Sequence, residues 1–375
     1  MSQYNIPFTG IARQYQDLHD EILDASDRAY RGGQVLDGPY THMFERQMAQ
    51  RCMRQYAVSV NSGTQALIFA QHILGLMGNV DNTKAPAKVM IPGISFVATL
   101  NSVLMAGNTP VYCDVDHNAL LDIDTIDYAL NGNVDAIMYV NMFGNVLDHD
   151  RLLNVTRFFN NDIKLIEDAA QSFGATYKGT PSGKLGDISI LSFDPTKNLP
   201  NYGSGGMILT DNFDDYQFAL NLRDNGKITN HDWAGTNSKM SESDCAQMLI
   251  KLKYFDTWQR RRKEIADYYV EHLTNWVDVL LPNRDVEHAW HKFVIRTEHR
   301  SQLQGYLASK SIETKIHYET PLFEHAVGWD YINYATDILR GSTAHSKEAL
   351  SLPIYPEMTD TEVEYVIESI ENYVR

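Results

Sequence analysis

Between Tyr56 and Thr210 the chain alternates short apolar runs with stretches of helical length, and few folds satisfy that alternation. Tyr56 to Val60, Val89 to Ile91, Val111 to Val115, Ala136 to Val140, Lys164 to Glu167, Ile188 to Phe193 and Met207 to Thr210 are short and rich in β-branched residues, as buried strands are. Gln65 to Met77, Thr99 to Met105 and Arg151 to Phe159 have helical spacing and fall between them. Strand and helix in turn specify an α/β fold with a mostly parallel sheet, whose ligands gather at the carboxyl ends of the strands.

The flanking segments read differently. Leu18 to Arg31 and a second helix carrying Phe44, Met48 and Cys52 precede the alternating region, separated by Gly32, Gly33, Gly38 and Pro39. After Thr210, Phe218 to Gly226 is expected as a short helix, His231 to Lys239 as a polar loop, and Ser241 to Tyr269 as a long hinge helix. Strands such as His291 to Arg296 then mix with helices such as Gln302 to Lys310 and Asp360 to Tyr373. At 375 residues the chain exceeds the usual single domain. The expectation is a large domain over residues 1–250 and a smaller α+β domain over residues 251–375.

A formal net charge of -16 sets the chain against phosphate backbones and anionic membrane surfaces. Arg260, Arg261, Arg262 and Lys263 lie within a helical pattern and read as a solvated face. Cys52, Cys113 and Cys245 show neither a disulfide framework nor metal-ligand spacing, so no metal is expected and a reducing cytoplasm fits. No run approaches the roughly 18 apolar residues of a membrane span, and the polar start lacks the regions of a signal peptide.

Three features at strand ends carry chemistry. Lys197 follows the run Ile188 to Phe193 in a turn flanked by Pro195 and Leu199; partial desolvation there would lower its pKa and supply a neutral amine for imine chemistry. The plain alternative is a solvated loop lysine. Asn61-Ser62-Gly63-Thr64 joins a strand to a buried helix, whose first N–H groups form an anion site, unless Ser62 or Thr64 is simply a helix cap. Asp168 closes a strand and could hold a cation or a protonated ring nitrogen, with Gln171 in the same turn; it could equally be a cap. The weight lies in their company, since one parallel sheet would bring all three together.

The residues resemble the DegT/StrS family of sugar aminotransferases. The likeness runs nearly end to end through Phe44-Glu45, Asn61 to Leu67, Ser95 to Thr99, Glu167 to Gln171, Ser192-Phe193 with Lys197, Gly205-Gly206, Gly235 to Ser241, Ile316 to Tyr318 and Ser351 to Pro353. It implies a type I, aspartate-aminotransferase-like fold with pyridoxal 5'-phosphate as cofactor. Lys197 would carry the cofactor and shuttle the proton, Asp168 would pair with the ring nitrogen, and Gln171 would reach the phenolic oxygen. Phe96 would stack on the ring, while Gly63, Thr64 and Ser192 would bind the phosphate. Asn237 would reach the phosphate in the neighbouring subunit of a homodimer with shared active sites. The substrates implied are an amino-acid donor, expected to be glutamate, and a nucleotide-linked keto sugar. His317 and Tyr318, after a strand-like Thr314 to Ile316, are expected to contact the sugar, the alternative being Tyr318 in the small-domain core and His317 in solvent.

The chain departs from the family's commoner patterns in places. After Lys197 it reads Asn201-Tyr202-Gly203-Ser204-Gly205-Gly206, without the acidic residue of members that aminate carbon 4. Asp-Pro-Thr-Lys-Asn-Leu looks more like members that aminate carbon 3, though Ser204 replaces their aspartate, and Phe323 stands where a histidine commonly follows Pro-Leu. A sugar dehydratase on this fold would have Lys197 replaced, typically by histidine. A regulatory or sensing protein that keeps the fold is the reading of a different class.

Overall fold

The computed structural model describes residues 5–76, 85–126, 134–331 and 338–375. The strands in chain order are β1 (Tyr56–Val60), β2 (Lys88–Pro92), β3 (Thr109–Cys113), β4 (Ala136–Val140) and β5 (Lys164–Asp168). A small hairpin, β6 (Thr176–Tyr177) and β7 (Thr180–Pro181), precedes β8 (Ile188–Ser192) and β9 (Gly206–Thr210). β10 (Asp278–Val279), β11 (Val286–Glu287), β12 (Phe293–Arg296) and β13 (Ala349–Leu352) follow.

Seven strands form the main sheet in the order β1-β9-β8-β5-β4-β2-β3. The pairs β2–β3, β2–β4, β4–β5 and β5–β8 are parallel, whereas β9 runs antiparallel to both β8 and β1. The loop from Phe193 to Gly205 contains no crossover helix, so β9 returns alongside the strand it left. Both sheet faces are covered: along β4, Ala136 and Met138 enter one apolar cluster and Ile137 and Tyr139 the other. Burial on both faces explains why these strands read as continuous apolar runs.

The helix Glu242–Leu273 joins two cores. Cys245, Met248, Leu252 and Phe255 pack with Phe44, Leu191 and Met207, while Ile265, Ala266, Tyr269 and Leu273 pack in a second cluster with Phe293, Leu350 and Leu352. The expected division after residue 250 falls inside this helix. The second cluster lies on the sheet β10-β12-β13 and takes residues from the helices Arg300–Ser309 and Asp360–Val374. It also takes Ile6, which bridges to Ile312, so the start of the described chain packs with its end.

Several boundaries differ from expectation for local reasons. The helix expected from Phe218 spans Phe213–Arg223, because the Asn212 side chain accepts the N–H groups of Asp214 and Asp215 and starts it earlier. The helix after β1 ends at Ile73, and Met77 lies outside the described residues. Thr314 to Ile316 is not a strand; Lys315 alone bridges to Ser351. β12 begins at Phe293, which leaves His291 and Lys292 in the approach to it. Among the described residues no helix is long and apolar enough to cross a membrane.

Candidate active site

The carboxyl ends of β1, β5 and β8, with the segment after β2, open onto a cavity of about 350 Å³. Gly63, Thr64, Phe96, Asp168, Gln171, Ser192, Lys197, His317 and Tyr318 all line it, so nine residues singled out in the sequence meet in one place. Asn237 does not line it. That residue is exposed, bridges to Asp224, and is followed by Ser238, whose carbonyl accepts the Asn61 N–H beside the first turn of the cavity.

The turn after β1 has the makings of an anion cradle. Ser62 caps the helix Gly63–Ile73 by accepting the Gln65 N–H at 3.1 Å. The N–H groups of Gly63 and Thr64 have no partner within the helix and lie at its positive end. A Cβ on Gly63 would sit 2.9 Å from the Cβ of Ser192, and one on Gly206 would meet the Ser62 carbonyl at 2.4 Å. Glycine at both positions lets β8 and β9 approach the turn, which brings the Ser192 hydroxyl to the cradle.

Asp168, the last residue of β5, is 5% exposed. The Ala170 N–H donates to it at 3.0 Å. Burial pushes its carboxyl up to about 6, against the pull of the Ala170 N–H and the Lys197 ammonium. A carboxylate so enclosed is an acceptor awaiting a cationic donor from the cavity.

Lys197 stands five residues beyond β8 in a tight turn. Its N–H donates to the Asp194 carbonyl at 2.9 Å, and the Asp194 carboxylate accepts the Thr196 N–H and hydroxyl. Asn198 ties the turn to the Ala289 carbonyl at 2.8 Å. Burial lowers the Lys197 pKa, and the charges of Asp168 and Asp194 oppose the shift. Lys197 is thus half-buried against the cavity rather than fully solvated.

Gln171 is buried and ties the two sides of the cavity together. Its amide donates to the Tyr318 hydroxyl at 3.3 Å, and its carbonyl accepts the Phe143 N–H at 3.2 Å. His317 Nδ1 lies 2.8 Å from the Ser351 hydroxyl, and its ring stacks on Phe8. Tyr318 and Phe96 face each other with centroids 6.0 Å apart; Phe96 is 52% exposed, leaving a ring face for a flat ligand. Phe323 packs against Tyr112 in the main core, away from the cavity, whereas Ser204 lines it.

Two basic lining residues were not singled out in the sequence. His291 places Nε2 3.1 Å from the Thr196 carbonyl and Nδ1 3.3 Å from the Gln171 carbonyl, and burial with nearby cations holds it well below the usual imidazole range. Lys292 follows it. An alternating His-Lys-Phe-Val at a strand entrance ordinarily places the lysine in solvent, so nothing local marked it.

These residues fit pyridoxal 5'-phosphate: a cradle for the phosphate, a buried carboxylate free to accept from the ring nitrogen, an aromatic face and an amine of lowered pKa. The bound ring supplies an electron sink for the carbon that loses a proton. Residues 16–371 match the model of the DegT/DnrJ/EryC1/StrS aminotransferase family. A pleiotropic regulatory protein of Geobacillus stearothermophilus is 30% identical over 99% of this chain and 99% of its own length. dTDP-3-amino-3,6-dideoxy-alpha-D-galactopyranose transaminase of Aneurinibacillus thermoaerophilus is 33% identical over 98% of this chain and 99% of its own. The crystal structure of S. venezuelae DesV in complex with a ketimine intermediate matches with a TM-score of 0.92 at 28% identity, covering 99% of this chain and 98% of that one. NtdA of Bacillus subtilis with bound cofactor PMP matches with a TM-score of 0.88 at 26% identity, covering 100% of this chain and 86% of that one. A match running from residue 16 to residue 371, with a full-length relative at 33% identity, makes this chain a member of the DegT/DnrJ/EryC1/StrS aminotransferase family.

Proposed function

We propose that this aminotransferase uses pyridoxal 5'-phosphate to move an amino group from glutamate to the keto group of a nucleotide-linked deoxysugar, at carbon 3 in preference to carbon 4. The observation that carries the reading is the meeting of Lys197, Asp168 and the Gly63-Thr64 turn in one cavity. Lys197, its pKa lowered by desolvation, takes and returns the proton at the reacting carbon. Asp168 holds the ring nitrogen protonated, and Gln171 orients the ring from the side that also holds Tyr318. The run Asp194 to Leu199 and the full-length relative named for a 3-amino sugar support carbon 3. Lys197 stands against a dehydratase. A regulatory protein without chemistry would have no use for a buried carboxylate aimed into the cavity, although one relative carries a regulatory name. The exposed Asn237 loop, tied to the cradle through Ser238 and Asn61, supports a homodimer in which Asn237 reaches the partner's cofactor phosphate.

The test is to load the protein with cofactor and glutamate and to screen nucleotide-linked 3-keto and 4-keto sugars by mass spectrometry. An amine from a 3-keto sugar is expected. Product from 4-keto sugars only would reverse the preference, and no product from either class would end the sugar reading.

A further inference from the structure

Lys292 is 6% exposed and lines the cavity with Lys197, His291 and His317. Its backbone N–H donates to the Phe143 carbonyl at 3.1 Å, which fixes it in the wall. Its Nζ lies 4.8 Å from the centroid of the Phe8 ring and has no hydrogen bond or carboxylate partner among the described residues. Its charged neighbours are Lys197 and Arg262 on one side of the balance and Asp194 on the other. The Arg262 guanidinium is committed to the carbonyls of Trp290 and Ile354, and the Asp194 carboxylate to Thr196. Burying an unpaired amine among cations is costly, and leucine or methionine would fill the position more stably. A lysine here makes sense if an anion enters the cavity.

Of the basic groups that line the cavity, three are committed. Lys197 handles the proton, His291 lies between the Thr196 and Gln171 carbonyls and can donate to one of them, and His317 is engaged by Ser351. The cofactor phosphate belongs to the Gly63-Thr64 turn. An amino-acid donor, however, brings a carboxylate on the carbon that reacts beside Lys197. We propose that Lys292 is the subsite for a carboxylate of the amino-acid donor. This rests on the aminotransferase reading of the cavity. Burial and the neighbouring cations hold the Lys292 amine well below its ordinary value, and an entering carboxylate opposes that shift by forming an ammonium–carboxylate pair.

The test uses the cofactor-loaded protein, the variants Lys292→Met and Lys292→Gln, and two probes, glutarate and L-glutamate. Glutarate carries the carboxylates without an amine, so calorimetry reads carboxylate binding apart from the chemistry. The wild type should bind glutarate. Both variants should weaken glutarate binding and raise the half-saturating glutamate concentration by about tenfold or more, the loss of one charge-assisted hydrogen bond. The keto-sugar half-reaction should change less than about twofold on the same scale. Lys292→Met should melt no lower than the wild type, because it removes a buried amine. Unchanged glutarate affinity, equal slowing of both half-reactions, or a loss confined to the keto-sugar half-reaction would each overturn the assignment. A wild type that binds glutarate through Lys292 yet shows no spectral response to any amino acid would keep the carboxylate subsite and refute the transaminase reading instead.

Discussion

Asp168 ends β5 and Lys197 follows β8, the strand paired in parallel with β5, so the two bring opposite charges to one cavity. Asp168 is buried and Lys197 half-buried, and each acts on the other: the Lys197 charge pulls the Asp168 carboxyl down while desolvation pushes it up, and Asp168 holds the Lys197 amine up while desolvation lowers it. The relationship follows from topology, because adjacent parallel strands present their carboxyl ends side by side.

The raised carboxyl of Asp168 has a consequence for stability. Its folded value is about 6 against an ordinary value of 3.8, so the folded protein holds a proton that the unfolded chain has released. The stabilisation is present below the ordinary value and is lost as pH rises through about 6. The cofactor-free protein should therefore lose about 3 kcal/mol from this group between acid and neutral pH, and Asp168→Asn should remove that dependence. Urea unfolding of both proteins across this range measures it. The same variant should bind cofactor but keep little turnover, since an amide cannot hold the ring nitrogen protonated; near wild-type turnover would exclude the role.

Gly206→Ala should damage the phosphate cradle from the neighbouring strand. Its Cβ would lie 2.4 Å from the Ser62 carbonyl and 2.6 Å from the Gly63 nitrogen, both backbone atoms with nowhere to go. Cofactor affinity should fall by about tenfold and stability by about 1–3 kcal/mol. Gly203→Ala is the control, as its nearest neighbour is 3.5 Å away. Titration with cofactor should separate the two; equal affinities would remove Gly206 from the account.

Much of this site was legible because strand ends announce themselves. Tyr56 to Val60 and Ala136 to Val140 were read to the residue, since apolar runs of that length between turns have few alternatives. Asp168 and Lys197 came with them. What was not legible depends on contacts far along the chain. Lys292 is buried because Phe8, 284 positions away, covers it, and no local pattern reports that. Thr314 to Ile316 has strand composition, yet only Lys315 meets a partner. The start of the helix Phe213–Arg223 was legible in principle: Asn212 followed by Asp214 and Asp215 is a capping signal.

Asn237 should act across a subunit boundary. Mixing Lys197→Ala protein with Asn237→Asp protein should regenerate activity in heterodimers, because one of the two sites then carries both native residues. If subunit exchange is demonstrated and activity stays at the level of the separate variants, the sites are not shared.

Tyr318→Phe removes the hydroxyl that accepts from Gln171 and keeps the ring facing Phe96. The keto-sugar half-reaction should lose about 1 kcal/mol or somewhat more, and the glutamate half-reaction much less. Stopped-flow traces of each half-reaction decide it, and equal slowing of both would assign Tyr318 to positioning Gln171 instead.

Two lysines line the cavity, the half-buried Lys197 and the buried Lys292, and Lys197 should be the one that carries the cofactor. Treating the cofactor-loaded protein with borohydride fixes the bond between lysine and cofactor, and peptide mass spectrometry then reads its position. The added mass is expected on the peptide containing Lys197 and none on that containing Lys292. Attachment at Lys292, or no attachment while the cofactor remains bound, would contradict that.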